Sequence, residues 1–173
     1  MNLYLDFDGV IVDTIKVTYK MIEDSKINIK DKLKVNEFYR NLDWFKLLKD
    51  INQINNSVEY IKEIQNLKLY NLSILTSVNS LDEIAAKKDY IRRFNLNLPI
   101  ISVPIGTNKN ELVEASSSIL VDDYSGNLYP WEEAGGIGVK FSEIEDEKFI
   151  TINSLDKLQE PSFTKKLEKR LYR

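Results

Sequence analysis

Five short apolar runs punctuate this chain: "NLYLDF" at 2–7, "LSILTS" at 72–77, "PIISVP" at 99–104, "SSILVDD" at 117–123 and "GIGVKF" at 136–141. Their Leu, Ile and Val content predicts strands. Polar stretches with helical spacing separate them. "SLDEIAAKKDYIRRF" repeats apolar positions at Leu81, Ile84, Ala85, Tyr90, Ile91 and Phe94. It opens on Asn79 or Ser80 as a cap, with acids in its first turn. "NKNELVEA" and "SGNLYPWEEAG" read as shorter helical links, and Gly135-Gly136 as the turn into the run that follows. Strands alternating with helices require a parallel sheet covered on both faces. In such sheets ligands gather at the carboxyl ends of the strands.

The expected fold is therefore α/β, a Rossmann-like three-layer α/β/α sandwich. One segment breaks the alternation. Residues 13–69 offer helix-like stretches, "TIKVTYKMIEDS", "VNEFYRNLDWFKLLKDI" and "SVEYIKEIQNL", with no strand between them. This segment reads as a small helical cap inserted after the first strand, with "KINIKDKLKVN" as a polar surface loop. Residues 1–12 and 70–160 then form the core. Residues 161–173 are a basic tail, a solvated terminal helix or frayed end, with five Lys/Arg against one Glu.

Composition removes several chemistries. The chain of 173 residues has no cysteine and no histidine, so disulfides, zinc-thiolate sites, thiol catalysis and Ser-His-Asp triads are excluded. Any general acid or base must be Asp, Glu, Lys or Tyr. A net charge of −3 argues against a nucleic-acid partner over the whole surface. No apolar run approaches membrane-spanning length and no signal-peptide pattern opens the chain, so a cytoplasmic setting is the default expectation.

The first run ends in Asp6-Phe7-Asp8-Gly9. Side chains at i and i+2 of an extended segment share a face. Asp6 and Asp8 are then close, and their repulsion needs a cation or a proton to relieve it. The second run ends in Thr76-Ser77 and the fourth in Asp122-Asp123, with Lys87, Lys88 and Lys109 between them. Parallel, adjacent strands would bring four carboxylates to one end of the sheet. A hard divalent cation with oxygen ligands, Mg²⁺ foremost, answers that repulsion. Acids, a hydroxyl and a lysine around it suit binding and transfer of a phosphoryl group.

The motifs resemble those of the haloacid dehalogenase-like phosphohydrolases. "DFDGV" resembles motif I, DxDGx; "ILTS" resembles motif II; "ILVDD" resembles the paired acids of motif IV. The resemblance spans about residues 2–141 and implies an aspartyl-phosphate mechanism. By it, Asp6 is the nucleophile and Asp8 the acid that protonates the leaving oxygen and then activates water. Thr76, Ser77 and a lysine, Lys87 or Lys109, hold the phosphoryl oxygens. Asp6, Asp122 and Asp123 bind Mg²⁺ with the Asp8 main-chain carbonyl. "DFDGVIVD", "KKDYIRRF" and "DDYSGN" are similar to segments of the 5′(3′)-deoxyribonucleotidase-like branch, with Lys87, Tyr90, Phe94 and Asn127 at its positions. Tyr90 and Tyr124 depart from the tryptophan and arginine common there. The branch implies a nucleoside monophosphate substrate, with Trp44 and Phe45 as an aromatic lid. Another small phosphate ester, or a silent relative that binds metal or a partner, are the alternatives. A response-regulator receiver is disfavoured, because its accepting Asp ends a middle strand and here that strand ends in "LTS".

Overall fold

A computed structural model describes residues 1–171; Tyr172 and Arg173 of the basic tail lie outside the described residues. Six parallel strands form one sheet: β1 (Asn2–Leu5), β2 (Asn71–Val78), β3 (Ile100–Pro104), β4 (Ile119–Asp122), β5 (Ile137–Phe141) and β6 (Ile150–Ile152). Their order is β3-β2-β1-β4-β5-β6, so β1 lies between β2 and β4. The α/β expectation holds, with helices on both faces. The short strand β6, after the acidic stretch "EIEDEK", adds an edge that the five apolar runs do not announce.

Alternation along each strand sorts the core. Leu3, Leu5, Ile74, Ile119, Val121 and Val139 belong to one apolar cluster. That cluster is closed by α4 (Ser57–Leu67), α5 (Leu81–Arg93) and α7 (Pro161–Leu171) through Val58, Ile61, Ile64, Ile91, Phe163 and Leu167. Tyr4, Leu75 and Leu120 turn to the other face, against Leu128 and Trp131 of α6 (Ser125–Glu133) and Phe149. Tyr4 meets Trp131 edge to face at 5.5 Å, and the Trp131 indole N–H donates to the Ser118 carbonyl. The basic tail is thus docked as a helix, with Phe163 and Leu167 buried and Arg170 beside Glu132.

Between β1 and β2 run α1 (Thr14–Asp24), α2 (Lys32–Asn41), α3 (Trp44–Asp50) and α4. The stretch "VNEFYRNLDWFKLLKDI" is two helices rather than one, because Asp43 starts α3 by accepting from the Lys46 N–H. Asp31 caps α2 in the same way, so Lys32, Leu33 and Lys34, expected in a loop, are helical. The insertion's two ends are tied: Val12 bridges Gln53, Ile54 N–H donates to the Ile11 carbonyl, and Ser57 Oγ donates to that carbonyl at 2.7 Å. α3 leans on α5, where Arg93 donates to the Leu48 carbonyl at 2.8 Å. No helix among the described residues is long and apolar enough to cross a membrane.

Candidate active site

β1 ends at Leu5, and the following residues make a tight loop at the carboxyl edge of the sheet. Ile11 and Val12 N–H groups both donate back to the Phe7 carbonyl, and Gly9 N–H donates to the Val12 carbonyl. Gly9 takes φ +74°, a left-handed conformation that suits glycine. A Cβ there would stand 2.4 Å from Asp123 Oδ2, so the absent side chain is the space that the Asp123 carboxylate occupies. Phe7, Val10, Ile11 and Val12 are fully buried and anchor the loop.

Asp6 is held by its main-chain N–H on the Val121 carbonyl. Because β4 is the neighbour of β1, Asp6 faces Asp122 and Asp123. One oxygen from each of the three lies within 4.8 Å of the others. Lys109, buried on a short 3₁₀ turn, sits 2.9 Å from Asp6 Oδ1 and 2.6 Å from Asp122 Oδ2. Asn127 Nδ2 and Tyr124 N–H complete the Asp122 shell, each at 2.9 Å. The Lys109 contact with Asp6 Oδ1 is an ion-pair separation outside hydrogen-bond geometry, which leaves that buried oxygen without a hydrogen-bond donor. Burial, reinforced by Asp122 and Asp8 against the pull of Lys109, pushes the Asp6 carboxyl up to about 7. Burial and Asp122 push Asp123 up to about 6. Burial alone would lower the Lys109 ammonium, but Asp6 and Asp122 outweigh it and raise it. A trio of crowded acids, with one oxygen from each within 4.8 Å of the others and no hydrogen-bond donor in good geometry on Asp6 Oδ1, fits a hard divalent cation.

Asp8 has different company. Its Oδ1 accepts from Thr14 Oγ1 at 2.6 Å, and its Oδ2 from Lys87 Nζ at 2.5 Å. Lys87 also reaches Glu83 at 2.7 Å, Thr76 Oγ1 at 3.0 Å and the Ser77 carbonyl at 3.1 Å. Burial opposes its charge, yet Asp8 and Glu83 prevail and its pKa is raised. Glu83 is raised by its own burial in spite of Lys87. Its Oε2 accepts from the Asn79 N–H at 2.7 Å, while Ser80, not Asn79, caps α5 by accepting from the Glu83 N–H.

A cleft of about 570 Å³ opens over these acids. Asp6, Asp8, Glu83 and Asp123 line it, with Ser77 and Asn127 at its edges. Thr76, Lys87 and Lys109 stand behind the acids and are fully buried. The expected phosphate-holding residues therefore split. Ser77 faces the cleft, whereas Thr76, Lys87 and Lys109 act on it through Asp8, Asp6 and Asp122. Lys88 is exposed, as expected of a surface lysine. Trp44 lines the cleft and lies near Lys87, its ring centroid 5.4 Å from Nζ. Phe45, expected beside it, is half exposed and is not among the cleft residues. Adjacent residues of a helix point about 100° apart, so the pair cannot share one face. Tyr39 takes that place, stacked on Trp44 at 6.2 Å with its hydroxyl on Thr18. Tyr39, Thr14 and Glu83 were not singled out from the sequence as site residues. Only Glu83 carried a signal, four residues ahead of Lys87 on one helix face.

No protein-family model and no curated protein matches the sequence. Solved structures do match over nearly the whole chain. A β-phosphoglucomutase from Clostridium difficile aligns with TM-score 0.64 at 15% identity, covering 99% of each chain. A hydrolase from Pseudomonas syringae gives 0.60 at 12%, covering 97% of this chain and 98% of the other. A haloacid dehalogenase-superfamily hydrolase of subfamily IA from Geobacter sulfurreducens gives 0.61 at 14%, covering 91% and 97%. The fold is haloacid dehalogenase-like. In that fold this chain presents Asp6, Asp8, Asp122 and Asp123 at the carboxyl ends of two adjoining strands, β1 and β4.

Proposed function

We propose that the protein is a Mg²⁺-dependent phosphomonoesterase working through an aspartyl-phosphate. One observation carries the reading: two carboxylates side by side in opposite settings. Asp6 lies among acids and Lys109, and Asp8 is held by Thr14 and Lys87. A cation bound at Asp6, Asp122 and Asp123 would counter the burial that raises Asp6 and hold it as the carboxylate a nucleophile must be, leaving Asp8 as the separate proton carrier.

In this mechanism Asp6 attacks phosphorus in line, and the bond from phosphorus to the ester oxygen breaks. For this step Asp8 must enter protonated, and it gives that proton to the departing oxygen. Water then attacks the aspartyl-phosphate and passes a proton to Asp8, releasing phosphate and restoring Asp6. Asp6, Asp122 and Asp123 would hold Mg²⁺, which when bound supplies positive charge to the phosphoryl oxygens. Thr14 and Lys87 fix the rotation of the Asp8 carboxylate through both its oxygens. Lys109 keeps Asp6 and Asp122 together, and Ser77 faces the cleft as the hydroxyl available to a phosphoryl oxygen.

Within residues 13–69, α1, α2 and Trp44 roof the cleft as its cap, while α4 packs on the sheet. The stacked Tyr39–Trp44 pair favours a nucleoside monophosphate as substrate, since a base or sugar has a face to lay against an aromatic. The test is phosphate release from deoxy- and ribonucleoside monophosphates, sugar phosphates and an aryl phosphate, with Mg²⁺ and with chelator. Chelator-sensitive release that vanishes in Asp6→Asn is the expected result. Release that survives either change refutes the mechanism.

A further inference from the structure

The cleft has an unusual charge inventory for a site that handles anions. Among the described residues lining it there is no lysine or arginine. Its charged residues are Asp6, Asp8, Glu83 and Asp123, and the rest of its polar wall is amides and hydroxyls, including Asn36, Asn108, Thr18 and Thr107. Ile15, Val35 and Ile105 supply apolar surface beside Trp44. The two lysines nearest the chemistry are unavailable. Lys87 is fully buried between Asp8 and Glu83, and Lys109 between Asp6 and Asp122. Lys140 stands behind Asp123, donating to its main-chain carbonyl, outside the cleft wall.

We infer that the cleft selects phosphomonoesters whose leaving group is uncharged, hydroxylated and partly apolar, and rejects those whose leaving group carries a second anion. The inference deepens the hydrolase reading and rests on it. The reasoning is electrostatic. Three ammonium groups, from Lys87, Lys109 and Lys140, face five carboxylates, from Asp6, Asp8, Glu83, Asp122 and Asp123. One divalent cation brings that balance to neutrality, and the transferring phosphoryl group then adds its own negative charge. No positive group remains for a carboxylate or second phosphate on the leaving group. Such an anion would meet Glu83 and neutral amides and hydroxyls instead of a guanidinium fork or an ammonium. Amides and hydroxyls, in contrast, are the donors and acceptors that read neutral hydroxyls.

The experiment compares pairs of esters matched in size but not in charge: glycerol 3-phosphate with 3-phosphoglycerate, and glucose 6-phosphate with 6-phosphogluconate. Phosphate release with Mg²⁺ is measured for each, and binding of the same compounds to Asp6→Asn is measured by calorimetry. The expected result is a kcat/KM about a hundredfold lower for the charged member of each pair, with binding weakened in parallel. Asn36→Lys, which puts a cation on the exposed cap wall, should narrow the gap by about tenfold. Equal turnover of both members overturns the inference and leaves the hydrolase standing. Absence of turnover with selective binding of the neutral members overturns the hydrolase reading and leaves the charge selection standing. Absence of both turnover and binding overturns both.

Discussion

Substituting Gly9 by alanine carries two separable costs. The first is backbone: at φ +74° an L-residue loses about 1–2 kcal/mol. The second is contact. The new Cβ would lie 2.4 Å from Asp123 Oδ2 and 2.7 Å from its Cγ, far inside van der Waals separation. The Asp123 carbonyl is held by Lys140, so the side chain must rotate instead of the backbone yielding. Forced repacking of this kind costs about 1–3 kcal/mol, giving about 2–5 kcal/mol in total. With a urea slope of about 2 kcal/mol per molar, the midpoint falls by about 1–2.5 M. Asp123→Ala removes every atom of the clash and leaves the backbone cost. A double-mutant cycle read by urea unfolding, in chelator at neutral pH, should therefore show about 1–3 kcal/mol of coupling. If Gly9→Ala costs the same in both backgrounds, within about 0.5 kcal/mol, then Asp123 does not occupy the space beneath Gly9.

Three further outcomes follow from the same geometry. Asp6 and Asp123 have folded-state pKa values above the ordinary carboxylate value, so the folded state holds their protons more tightly than the unfolded chain does. Stability of the chelator-treated protein should therefore fall as pH rises from about 4 to about 7, by about 3 kcal/mol for Asp123 alone, and Mg²⁺ should restore it at the upper end. Thermal unfolding across that range, with and without Mg²⁺, checks this; a flat profile in chelator would refute it. Lys87→Met strands Asp8 and Glu83 without their shared cation and should lose about 3–5 kcal/mol in urea unfolding, part of it recovered by adding Glu83→Leu. Asp6→Asn should abolish phosphate release while making the metal-free protein more stable above pH 7, where the native carboxylate is charged against its surroundings. A loss of stability there would contradict the crowding of the acids.

The acidic edge was legible because each strand that forms it ends an apolar run on a polar residue. Asp6, Thr76 and Asp122 all close buried stretches, and parallel neighbours must present such ends together. The strand order was not written in any one run, because β1 acquires β2 and β4 as neighbours only through crossover connections. Helix breaks proved harder to read. Leu42–Asp43 interrupts a stretch whose apolar spacing continues across the gap, and only the Asp43 side chain on the Lys46 N–H ends the ambiguity. β6, at three residues, is too short to carry a pattern. Glu83 looked like an ordinary first-turn acid because its role depends on Lys87 and Asp8 arriving beside it. Among the aromatics, the resemblance pointed to Trp44 and Phe45 together but could not say which ring faces inward; Trp44 lines the cleft wall with Tyr39, and Phe45 does not.

The central position of β1 has a consequence for how the chain is made. This strand is synthesised ahead of the rest of the sheet, and its partners begin only at Asn71 and Ile119. Long-range pairing of this kind is slow to form. Throughout that wait, "LYLDFDGVIV" is an apolar segment of high strand propensity with no edge to join, the condition in which nascent chains aggregate. Asp6 and Asp8 cut the run in two, and Asp13 closes it. The carboxylates that crowd one another in the finished protein are thus gatekeepers during synthesis, keeping the first strand soluble until the sheet that needs it has been translated.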